Sequence, residues 1–181
     1  MKEFALKAIG LGAILLGSPV HASANNLAGE VEVKMVIGAG CSITNGNVNA
    51  GVNQWGTLDF GSHSELSNII DAQTLGSSGN IQIKCSTGLS PSLSINSGLH
   101  STGGQRYMKH ATTPETIAYN VYSDATRNQL IQPDTPVNIS AVATGNAVDI
   151  PLYGRVSPAN QGSTSPAAGT YSDTLLVTIS W

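Results

Sequence analysis

An all-β fold is what this sequence predicts, and three observations predict it. Twenty Gly, eight Pro and many Ser, Thr and Asn punctuate the chain at short intervals, as strands joined by turns require. Long helix-forming runs are missing after the first 20 residues. Short apolar stretches recur between the turn signals with no helical stretch between them, the pattern of an antiparallel immunoglobulin-like sandwich. A length of 181 residues suits one domain, and 40% hydrophobic residues suffice for a core. Charged residues make up only 10%, far below the roughly 25% of an ordinary soluble domain, so the surface is expected to be largely neutral.

The first element is an export signal. Lys2 and Lys7 flank the start, Ala8 to Leu16 is apolar, and Ala22-Ser23-Ala24 fits a small-residue cleavage site, which reads as a signal peptide over residues 1–24. Its apolar run is shorter than the roughly 20 residues a membrane span needs. The mature chain is expected to start near Asn25 with six basic and ten acidic residues, a net charge of −4. Gly38-Ala39-Gly40-Cys41 faintly resembles a lipoprotein box, but Glu30, Glu32 and Lys34 interrupt the apolar run such a box follows. In an exported chain the two cysteines, Cys41 and Cys85, are expected to form a disulfide.

From Leu27 to Ile37 the sequence LAGEVEVKMVI places Leu27, Gly29, Val31, Val33, Met35 and Ile37 on one face and Glu30, Glu32 and Lys34 on the other. This period of two predicts a half-buried strand. Gly38 and Gly40 then loosen the chain as a hinge. Further strands are expected at Cys41–Thr44, Trp55–Phe60, Asn80–Cys85, Ser92–Asn96, Thr116–Tyr122, Val137–Val142, Val148–Val156 and Thr174–Trp181. Residues 45–53 and 157–170 read as loops. Tyr171, Asp173, Leu175, Val177, Ile179 and Trp181 share one phase, so 175–181 reads as a core strand. The sequence given stops on that strand, and any further strand is expected from elsewhere.

Several function classes fit poorly. Eight Lys and Arg against eleven Asp and Glu, scattered along the chain, do not make a nucleic-acid surface. There is no Gly-x-Ser-x-Gly elbow, P-loop or His-Glu-x-x-His, and no cofactor motif. His63, His100 and His110 lack metal spacing and are expected at polar surface or loop positions. The Gly10/Gly12 and Gly38/Gly40 pairs are not nucleotide loops. Asn138-Ile139-Ser140 matches a glycosylation triplet by composition only. Tyr119, Tyr122, Tyr153 and Tyr171 are candidates for a sugar-binding face, although Tyr119 and Tyr153 fit packing better.

The alternating N-terminal strand could open an ordinary sandwich or add to a sheet edge in another molecule. An apolar edge strand without a partner is an aggregation hazard. The motifs GCSI at 40–43, WGTLDFG at 55–61, IQIKC at 81–85, IAYNVYSD at 117–124, IPLYG at 150–154 and GTYSDTLLVTI at 169–179 resemble the spore coat protein U domain, in order over nearly the whole mature chain. That family builds archaic, Csu-type chaperone-usher pili.

The resemblance implies an incomplete immunoglobulin-like sandwich completed by donor-strand exchange. Residues 25–38 would be the donor segment, with Val31, Val33, Met35 and Ile37 inserted and Leu27 at the outer end, and 39–181 the pilin domain. The acceptor groove would be walled by Ile43 on one strand and by Leu175, Val177, Ile179 and Trp181 on another, with the family's disulfide on Cys41 and Cys85. The implied partners are copies of the chain and other pilus subunits, a periplasmic chaperone and an outer-membrane usher, with no nucleic acid. The implied location is the cell surface, reached through the periplasm. The implied role is a structural shaft subunit working in surface adhesion and biofilm formation, not an enzyme. The alternatives are a secreted, self-contained binding module and a spore or cell coat matrix protein.

Overall fold

A computed structural model describes residues 29–44, 47–49, 52–75 and 81–181; the expected signal peptide and Leu27 lie outside them. The described residues form an all-β molecule, as the sequence predicts. Its strands are β1 (Cys41–Ile43), β2 (Asn47–Asn49), β3 (Val52–Gln54), β4 (Thr57–Leu58), β5 (Ile70–Leu75), β6 (Gln82–Cys85), β7 (Ser92–Ile95), β8 (Arg106–His110), β9 (Thr116–Tyr122), β10 (Val137–Asn138), β11 (Ala147–Asp149), β12 (Tyr153–Val156), β13 (Tyr171–Ser172) and β14 (Val177–Ser180). Two 3-10 turns, Ser140–Val142 and Pro158–Asn160, interrupt them.

The chain divides into two compact units, residues 1–36 and 37–181. In the larger unit β1, β6 and β11 form one sheet, and β10, β7 and β14 form a second. A six-stranded sheet runs β13-β8-β9-β12-β5-β4, and β2 pairs with β3 as a hairpin. The period-two pattern expected of strands is visible in burial: Ile83 and Cys85 point inward from β6, Leu93 and Ile95 from β7, and Val156 from β12. These side chains, with Val121, Ile131, Ile150 and Leu152, belong to one apolar cluster fed by all three larger sheets.

The structure corrects several expected elements. Residues 29–39 form no strand, because a strand needs a hydrogen-bonded neighbour and these residues have none among the described residues. Val137–Val142 is not one strand: Asn138 Oδ1 accepts the Ser140 N–H at 2.8 Å and turns the chain into the 3-10 segment, the usual competition of an Asn side chain with the ladder. Val148–Val156 is two strands. Pro151 has no N–H to give, Ile150 N–H donates to Ile81 O beside β6, and Leu152 N–H donates to Thr74 Oγ1 on β5. One strand path thus passes from one sheet to another. Residues 45–53, expected as a loop, include β2 and part of β3, and only Thr57–Leu58 of Trp55–Phe60 is extended and paired.

β5, β8 and β13 were not expected. His110, expected at the surface, is buried at 7% exposure; its Nδ1 accepts the N–H groups of Thr112 at 3.1 Å and Thr113 at 3.0 Å. Tyr171 meets the same ring edge-on at 4.9 Å. Its hydroxyl donates to Glu115. The Ala167 N–H, and then this hydroxyl, hold the Glu115 carboxyl below the usual carboxylate range. Tyr119 is part of the core at 3% exposure and donates to Asp173 at 2.7 Å, so the four tyrosines share no exposed face.

Candidate functional site

Two strands carry the site, and each is paired on one side only among the described residues. β1 lies at the edge of the first three-stranded sheet and β14 at the edge of the second. β1 pairs with β6 in the register Cys41↔Cys85, Ser42↔Lys84, Ile43↔Ile83. The Cys41–Cys85 disulfide joins the first of these pairs. β14 pairs with β7, Val177↔Ile95 through Ser180↔Ser92, and the pairing extends past the strand: Asn96 N–H donates to Leu176 O at 3.0 Å, and Asn96 Oδ1 accepts the Leu176 N–H at 2.9 Å.

The expected wall residues fall on these two edges. Ile43, Leu175, Val177 and Ile179 are half-buried and pack on the common apolar cluster. The expected phase from Tyr171 to Ile179 is present, with even-numbered residues 172–180 exposed. None of the odd-numbered ones is fully buried, however, so 175–181 is a half-covered edge rather than a core strand. Trp181 is 59% exposed.

The two edges approach one another at one end. A Cβ placed on Gly40, just before β1, would lie 3.8 Å from a ring carbon of Trp181, just after β14. Gly40 is not the loose hinge the sequence suggested. Its N–H donates to Ser86 Oγ at 3.1 Å and its carbonyl accepts the Ser86 N–H at 2.9 Å, which carries the β1/β6 register one residue further. Gly38 is different: a side chain there would meet nothing within 4 Å. Ser86 carries no motif that could have flagged it.

On the other side of the two small sheets the chain runs from one sheet to the other. β10 and β11 are their opposite edges, and the 3-10 turn Ser140–Val142 lies between them in sequence. Beside it is an open pocket of about 310 Å³ whose lining includes Leu93, Asn138, Val142, Asp149, Ile150 and Leu152. The β1/β14 side has no such connection among the described residues.

The remaining expected residues lie in the smaller unit or at its boundary. Val31, Val33, Met35 and Ile37 are 86%, 92%, 80% and 83% exposed, and Val36, of the opposite phase, 81%. That is a dense run of exposed apolar side chains in nine described residues without a strand. Among the described residues, no group of His, Cys, Asp and Glu is arranged to hold a metal ion.

No curated protein matches the chain. Among solved structures, the chain is similar at 21% identity and a TM-score of 0.49 to the CsuC–CsuE chaperone–tip adhesion subunit pre-assembly complex from archaic chaperone-usher Csu pili of Acinetobacter baumannii, covering 80% of this chain and 40% of that one. A chaperone–tip adhesin complex of CFA/I fimbriae biogenesis matches at 15% identity and a TM-score of 0.43, covering 68% and 38%. The chain thus spans about two fifths of the length of either. The Spore Coat Protein U domain model matches residues 27–178, and by that match the chain belongs to the spore coat protein U domain family.

Proposed function

We propose that this chain is a structural shaft subunit of an archaic chaperone-usher pilus, exported through the periplasm and polymerised at the cell surface by donor-strand complementation. The carrying observation is the pair of half-covered edges, β1 and β14, set against an exposed alternating apolar segment in the same chain. An edge with its inward side chains half-covered calls for one more strand, and a strand without a neighbour calls for an edge.

The energetics favour the match. Burying four aliphatic side chains at about 1.5–3 kcal/mol each gives on the order of 6–12 kcal/mol before ordering costs. Backbone hydrogen bonds to both edges add to this. A head-to-tail contact of this kind does not close on itself, so its product is a fibre. Before assembly the same edges and segment would need cover, which is the role of a periplasmic chaperone, and an outer-membrane usher would pass subunits outward. Surface attachment and biofilm formation follow from such a fibre.

Expressing Val33→Asp in place of the native chain, with the secretion partners intact, should remove surface filaments seen by electron microscopy while folded subunit still reaches the periplasm. A carboxylate buried without a partner costs several kcal/mol, enough to outweigh one aliphatic contact. Normal filaments from this variant would mean that Val33 is not an inserted residue.

A further inference from the structure

An alternating segment at the end of a chain has two possible destinations, the open side of another copy or the open side of its own. Self-insertion has an entropic advantage, because closing a loop of a few residues costs far less than joining two molecules. A linear fibre therefore needs something that works against it.

Strand parity shows which self-insertion would matter. Directly opposed residues of an antiparallel pair lie on the same face. With a two-residue turn at Gly38-Ala39, Lys34 would fall opposite half-buried Ile43, while Met35 and Val33 would fall opposite Ser42 and Thr44, both exposed. With a three-residue loop, Gly38-Ala39-Gly40, Ile37 falls opposite Cys41 and Met35 opposite Ile43, so the apolar face turns inward. That loop requires a left-handed residue at its last position, here Gly40, and glycine is the residue that can supply one. The sequence therefore permits a productive hairpin of residues 33–37 with β1.

The fold blocks it at one residue. Gly40 lies outside the left-handed region, held in the β1/β6 register by hydrogen bonds to the Ser86 backbone and hydroxyl and covered by the Trp181 ring. Turning Gly40 left-handed breaks these bonds and displaces the indole. We propose that Ser86 and Trp181 are positioning residues for assembly: by fixing Gly40 in the ladder they bar the chain's own N-terminal segment from the side between β1 and β14 and reserve that side for a second copy. This rests on the donor-strand reading above.

The test uses the full mature chain, refolded from denaturant with its disulfide intact and with a photo-crosslinking benzoylphenylalanine at Val36, whose phase is opposite to the inserted residues. Mass spectrometry then separates crosslinks within one chain from crosslinks between copies. Ser86→Ala should raise the within-chain share about fivefold, the weight of roughly one hydrogen bond, Trp181→Ala should raise it by lifting the ring from Gly40, and Ser86→Thr should restore the native ratio by returning the hydroxyl. Gly40→Ala should lower the share, because alanine resists the left-handed region and its Cβ meets Trp181 at ordinary contact distance. Should Ser86→Ala fail to refold, the opposed shifts of Trp181→Ala and Gly40→Ala decide alone. An unchanged ratio across these variants, with crosslinks to β1 or β14 still forming between copies, overturns the clamp and leaves the donor reading intact. Absence of any crosslink to β1 or β14, within or between chains, overturns both.

Discussion

Replacing Arg106 by methionine is expected to lower folding stability by about 3–5 kcal/mol, the usual result of stripping a buried charged donor from its acceptors. Arg106 is 2% exposed. Its Nε donates to Asn96 O at 2.9 Å, Nη1 to Ile131 O at 2.8 Å and Nη2 to Ile95 O at 3.0 Å. Burial pushes its pKa down, opposed by Tyr119, Asp134 and Asp173, yet no carboxylate sits within ion-pair distance among the described residues. The guanidinium serves as a three-way carbonyl tie, a geometry its planar fork suits. Methionine keeps much of the volume and none of the donors, so Asn96 O and Ile131 O lose the donors they have here, while Ile95 O keeps the Asp134 N–H. Asn96 also holds Leu176, so the loss should reach the root of β14. Urea midpoints at an unchanged m-value would measure it; a cost below about 1 kcal/mol would mean the carbonyls find other donors.

Removing the disulfide through Cys41→Ser with Cys85→Ser is expected to cost roughly 4 kcal/mol in the chain-entropy account, for a crosslink spanning 44 residues of sequence. The local effect compounds the global one. β1 is three residues long and pairs with β6 alone among the described residues, and the crosslink binds its first residue to the register. Without it β1 should fray, and any strand that adds to β1 should bind less well. Denaturation of the oxidised, reduced and double-serine forms separates the contributions. Equal midpoints for all three would show that β1 is held by packing alone.

What the sequence made legible follows the chemistry of the inward face. β6 and β7 carry Ile, Leu and Cys inward, so alternation and burial coincide, and β9 buries Ile117, Tyr119 and Val121 in one phase with Ala118 buried between them; all three strands lie close to where the sequence predicts them. β8 alternates equally well, but its inward residues are Arg106, half-buried Met108 and His110, and buried polar groups erase the apolar signal. β5 turns Ile70, Ala72 and Thr74 inward, and the last two are too small or polar to continue the apolar signal Ile70 begins. The split of Val148–Val156 hinges on Pro151 and on Thr74 Oγ1, a partner 78 residues away in sequence, which no local pattern reveals. The residues placed on the two edges are legible because both Ile43 and the 175–179 run keep their period. The fixed place of Gly40 is not legible in sequence for a tertiary reason: what fixes it is Ser86 from β6's end and the Trp181 ring, neither of them near in sequence.

The same contrast frames residues 29–37. They alternate cleanly from Gly29 to Met35, with Val36 breaking the phase, and they are unpaired among the described residues. Local sequence encodes a strand there, and the described chain supplies no neighbour for it.

The most direct measurement is thermal unfolding of the chain lacking residues 25–37, with and without a synthetic peptide of residues 25–38. The donor-strand account predicts a poorly cooperative, short-lived body alone and a cooperative, higher-melting complex once peptide is added, since a ligand that binds only the folded state stabilises it by mass action. A long-lived, cooperatively unfolding monomer whose melting is unmoved by the peptide would contradict it.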